Sequence, residues 1–93
     1  MRERDTLMVD NLRFEQTCVA CPEQYDVFDG QDQIGYVRVR NGRLTVESPF
    51  CGGSLLLSEA VDGDGMFEDY ERAEWLQTIA VILMGASFST EMS

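Results

Sequence analysis

Ninety-three residues, 44% of them apolar, suffice for one domain with one modest core and exclude a disordered chain. Seventeen acids stand against seven bases, all arginine, with no histidine and a net charge of −10; this argues against direct nucleic-acid binding and excludes any triad built on histidine. The longest apolar run, Ile79 to Ala86, falls far short of the roughly 18 residues of a membrane span.

The first ten residues, MRERDTLMVD, are charged and lack the apolar stretch of a signal peptide, so they read as a flexible arm (1–10) on a cytoplasmic protein with reduced cysteines. NLRFEQTC alternates Leu12, Phe14, Gln16 and Cys18 against Arg13, Glu15 and Thr17, a strand of period two. Cys18 and Cys21 form a C-x-x-C followed by Pro22, which reads as a corner before a second strand, EQYDVFDG.

The segment IGYVRVRNGRLTVES carries the clearest signal. Asn41-Gly42 suits a two-residue hairpin turn in which both residues need positive φ. That loop pairs Arg40 with Arg43, Val39 with Leu44, Arg38 with Thr45 and Val37 with Val46. Val37, Val39, Leu44 and Val46 then share a core face, while Tyr36, Arg38, Arg40, Arg43, Thr45 and Glu47 share the other. SPFCGG interrupts the meander, and SLLLSEA supplies a fifth short strand. VDGDG then turns the chain into a helix from about Phe67 to Met84, with Asp64 as N-cap, acids in the first turn and Gly85 as the stop. Ala73, Leu76, Ile79, Ala80 and Leu83 form its inward stripe. Trp75 and Ile82 form a second stripe, a homodimer contact if they are not buried. The expected architecture is α+β: a five-stranded, mainly antiparallel β-meander packed on one C-terminal α-helix. The domain spans 11–84, and a loose tail follows over 85–93.

Three chemistries have partial signatures in the sequence. A structural zinc site needs four ligands, and here one C-x-x-C and a lone Cys51 meet no histidine. A redox dithiol needs a helix start behind it, whereas this C-x-x-C lies between two strands. Laid on the calcium loop of an EF-hand, Asp62, Asp64 and Glu71 fall at the third, fifth and twelfth positions, but Ala60 occupies the first. Core or spare thiols, with a disulfide involving Cys51 as the next alternative, and an acidic capping turn are the plainer readings. No cofactor, no metal and no catalytic residue is assigned, and enzymatic activity is the least supported class.

Charge remains. Residues 1–50 carry nine acids and six arginines, whereas 51–93 carry eight acids and only Arg72. The cluster Asp62, Asp64, Glu68, Asp69, Glu71 and Glu74 reads as a surface for a basic protein partner, with Arg38, Arg40 and Arg43 as a secondary patch. A rigid array of carboxylates can also replace phosphates in a basic groove, which would make the chain a nucleic-acid-mimicking inhibitor. A small metal-binding structural protein, holding zinc or weakly bound calcium, is the other alternative.

The strings PEQYDVF, GYVRVRNGRLTV, CGG and DGMFEDYER resemble a pattern, PEQYDVF, GY-x-R-x-R-x-G-x-x-TV, CGG and DG-x-F-x-D-x-ER, found in a group of small uncharacterised bacterial and phage proteins. The likeness spans residues 20–76. It implies a phage or mobile-element setting, in which small acidic proteins are often anti-CRISPR or anti-restriction factors acting on a host nucleic-acid-binding complex in the cytoplasm. The expected function is therefore a small acidic, non-enzymatic protein-binding factor.

Overall fold

Asn41 and Gly42 both take positive φ, 56° and 74°, and the hairpin they close has the register expected from the turn alone: Arg40 with Arg43, Val39 with Leu44, Arg38 with Thr45 and Val37 with Val46. Around it the computed structural model describes residues 6–18 and 23–92, with side chains for all of these except 18 and 86–92. The strands are β1 (Thr6–Val9), β2 (Leu12–Cys18), β3 (Glu23–Asp29), β4 (Asp32–Arg40), β5 (Arg43–Ser48) and β6 (Ser54–Ala60), followed by helix α1 (Asp69–Met92). They form one sheet in the order β1-β2-β3-β4-β5-β6, every neighbouring pair antiparallel. The architecture is an α+β meander with one C-terminal helix.

The sheet has six strands rather than the five expected. Thr6–Val9, read as part of an arm, pairs with β2 through a two-residue turn at Asp10 and Asn11, whose φ values are 50° and 70°. Asp and Asn tolerate this left-handed conformation through local hydrogen bonding, so the turn forms without glycine. The corner proposed around Cys21 and Pro22 lies outside the described residues, as do residues 1–5.

One sheet face and α1 enclose the core. Leu12, Phe14, Tyr25, Val27, Val37, Val39, Leu44 and Val46 from the strands meet Phe67, Leu76, Ile79, Ala80 and Leu83. Phe14 and Tyr25 stack edge to face at 6.0 Å between ring centroids, a favoured aromatic geometry. Gly35 permits close approach of the helix, since a Cβ there would stand 2.6 Å from Leu83 Cδ1. The opposite sheet face carries no element among the described residues. Arg13 lies over the Phe28 ring there, 4.8 Å from its centroid, and pairs with Glu15 at 2.6 Å.

The helix departs from expectation at both ends. It starts at Asp69, with Glu68 rather than Asp64 at the cap position, and runs through Gly85 to Met92. Gly85 is not among the glycines with positive φ, so it makes no left-handed stop. Ala73, expected inward, is exposed; it lies on the helix flank facing β1, beside an open groove lined by Leu7 and Val9.

Candidate partner-binding site

The acidic loop between β6 and α1 is built around Glu71. Its Oε2 accepts from the backbone N–H of Gly63 at 2.8 Å and of Glu68 at 2.9 Å, and its Oε1 accepts from Asp62 N–H at 3.1 Å. The bond back to Glu68 is one half of a capping box, and it satisfies a donor that the helix itself cannot. Glu71 is 7% exposed. Burial pushes its pKa up, but the three N–H bonds outweigh that and hold the carboxyl below its usual range. Gly63 is required at the centre of this cradle, because a Cβ there would collide with the Met66 carbonyl.

A second network anchors the same loop to the sheet. Glu23, 2% exposed at the start of β3, accepts from Arg72 Nε at 2.9 Å and Nη2 at 3.1 Å. It also accepts from Phe67 N–H at 2.9 Å and from the Tyr25 hydroxyl. Its own N–H donates to Gly65 O at 2.7 Å. Burial, reinforced by the bond to Glu23, pushes the Tyr25 phenol well above its usual range. Paired in this forked way, a buried carboxylate is tolerated where an unpaired one would not be.

The remaining acids point to solvent on this frame. Asp62, Asp64, Glu68, Asp69 and Glu74 are all exposed. Asp69 pairs with Arg72 at 2.8 Å. Asp62 accepts from the Tyr70 hydroxyl at 2.6 Å, a bond that pushes the phenol up to about 12. Tyr70 is itself 72% exposed. Asp62 and Glu74 border a groove between the end of β6 and α1, lined also by Val61, Tyr70, Trp75 and Thr78, whereas Asp64, Glu68 and Asp69 lie outside its lining. Its rim is acidic and its walls carry one tyrosine and one tryptophan.

Of the six acids expected to form the surface, five are outward and Glu71 is turned inward as the frame. Trp75, expected as a homodimer contact, is half-buried, packs against the core and lines the groove; Ile82 is half-buried farther along α1. Arg38 is half-buried on the open sheet face, with Arg40 and Arg43 exposed beside it. Arg43 donates to the Ser58 hydroxyl at 3.0 Å, and among the described residues none of the three arginines forms a salt bridge. The hairpin end of this patch adjoins the groove's border: Arg43 pairs with Ala60, and Gly42 O accepts from Val61 N–H at 2.9 Å. Of the three calcium-loop acids, Asp62 is engaged with Tyr70 and Glu71 with backbone N–H groups, and Asp64 is exposed. Among the described residues no group of three acids or cysteines is placed to hold a metal. Cys51 is a free, exposed thiol.

Glu23 and Arg72 are the residues that local pattern does not reveal. One signal was present: Arg72 is the only base among the last forty-three residues, and a single cation in an acidic stretch invites a search for its partner. Compared with protein-family models, curated proteins and solved structures, the chain matches none.

Proposed function

We propose that this chain is a non-enzymatic binding module that takes a basic segment of a partner protein into the acidic groove between the end of β6 and α1. What supports this is the inward turn of Glu71. By gathering three backbone N–H groups it stiffens the loop that presents Asp62, Asp64 and Glu68 beside Glu74. Carboxylates held on a rigid frame lose little conformational entropy on binding, and their field steers a cationic partner toward them. Tyr70 and Trp75 add aromatic surface for the stems and planes of arginine or lysine side chains. Where the partner's basic segment is itself a nucleic-acid-binding surface, the module competes with phosphates for it, the inhibitory role suggested by the phage-like resemblance.

The test is capture from a nuclease-treated bacterial lysate on immobilised protein and on an Asp62→Asn/Glu74→Gln variant. Basic proteins retained by the native surface, released as salt rises and lost on the variant, are the expected result. An identical retained set on both surfaces would overturn the proposal.

A further inference from the structure

The groove does not stand alone; it begins at the end of an unpaired sheet edge. β6 is the last strand of the sheet, and among the described residues it pairs only with β5. Alternate residues of an edge strand point their N–H and C=O groups away from the sheet, a template for another strand. Natural edges are commonly blunted by lysine, proline or a covering element. Ser54–Ala60 contains neither residue; its register against β5 shifts at Leu56, so Leu57–Ala60 is the stretch in regular register, and Leu55 is 58% exposed. Register places Leu57 opposite buried Val46 and Glu59 opposite buried Leu44, so both stand on the helix-facing side of the edge. The groove, with Asp62 and Glu74 on its rim, continues from the end of that strand.

We infer that β6 receives an extended segment of the partner as a seventh strand, with its inward side chains entering the groove. The inference rests on the function proposed above and specifies the partner's form. Backbone hydrogen bonds along β6 supply register, and side chains of one face supply selectivity. Passing Glu59, Asp62 and Glu74, that face meets three acids and selects basic residues. The same charges disfavour a second copy of this chain as occupant, because SLLLSEA offers an acid and no base, and both copies carry a net −10.

The experiment uses the full chain and three short peptides: one alternating arginine and valine, one alternating glutamate and valine, and an Arg–Val version N-methylated along its backbone. The Arg–Val peptide is expected to bind and to protect the amides of Ser54–Ala60 from hydrogen exchange. N-methylation keeps the charge but removes the strand's donors, so affinity should fall at least about tenfold, equivalent to two ordinary hydrogen bonds. Equal binding of the methylated peptide without protection of β6 would overturn strand addition while leaving the acidic groove intact. Equal binding of the Glu–Val peptide, or no binding by any of the three, would overturn the groove as well. Self-association that protects β6 without peptide would assign the edge to a second copy and overturn the inference.

Discussion

Arg72 and Glu23, forty-nine positions apart, close a forked pair at 2.9 and 3.1 Å between the first turn of α1 and the start of β3. This pair, with Phe67 N–H and the Tyr25 hydroxyl on the same carboxylate, ties the acidic loop to the sheet. Arg72→Met should cost about 3 kcal/mol in chemical denaturation, because it leaves a buried carboxylate short of its countercharge. The double variant Glu23→Met/Arg72→Met should cost less, about 1–2 kcal/mol, mostly from the Phe67 N–H and Tyr25 hydroxyl left without an acceptor. Additive losses would show that the two side chains are not coupled.

Glu71 is expected to govern the loop locally. Glu71→Ala removes the acceptor of three N–H groups, and amide exchange at Asp62, Gly63 and Glu68 should accelerate strongly while the β4–β5 amides stay protected. The global cost should be about 2 kcal/mol, the value of a charge-assisted network at a helix start. Unchanged exchange at those three amides would remove Glu71 from the frame.

The same carboxylate sets a pH dependence. Its pKa is lower in the folded chain than in the unfolded one, because three backbone bonds outweigh burial. Folding therefore releases its proton, and its contribution is full above the ordinary carboxylate pKa of about 4.3 and lost as pH falls through the lower folded value. Asp26 opposes this, since burial raises its pKa and its folded form favours the proton. Stability measured as pH falls below the ordinary value should drop less in Glu71→Gln than in the native chain. Parallel curves would contradict this.

All three tyrosines are shifted upward. Tyr25 is shifted first by burial, Tyr36 also by burial, and Tyr70 by its bond to Asp62. Little phenolate absorbance should develop in the native chain near pH 10, where a free tyrosine is about half ionised. Raised folded values mean that folding retains the phenol protons, so stability falls as pH rises above 10. Half-ionisation of all three near pH 10 without unfolding would refute the placement of these hydroxyls.

How much could be read in advance follows from where each determinant lies in the chain. The β4–β5 hairpin was legible to the residue, because Asn41-Gly42 and the alternation around it are local signals. The buried stripe Leu76, Ile79, Ala80 and Leu83 was legible for the same reason. β1 was not: its turn uses Asp10 and Asn11 in place of glycine, and a four-residue strand leaves little pattern. The helix start was misplaced because Asp64 looks like a cap, whereas Glu71 reaching back to Glu68 N–H makes the real one. The Glu23–Arg72 pair had no local signature at all. The resemblance strings PEQYDVF and DGMFEDYER contain Glu23, Tyr25, Phe67, Asp69, Glu71 and Arg72, the residues of the two networks. The second string also contains Asp64, Glu68 and Tyr70, which face solvent beside the frame.

The exposed acids bordering the groove can be separated from acidity in general. Binding of the alternating Arg–Val peptide would be measured by titration calorimetry on two folded variants. One is Asp62→Asn/Asp64→Asn/Glu74→Gln, which neutralises the groove acids Asp62 and Glu74 and the neighbouring loop acid Asp64 but spares Glu71. The other is Glu15→Gln/Asp26→Asn/Glu47→Gln, which neutralises acids on the open sheet face. The groove variant should lose binding and the sheet-face variant should keep it. Comparable weakening in both, or retention by the groove variant, would contradict the assignment of the groove as the partner-binding site.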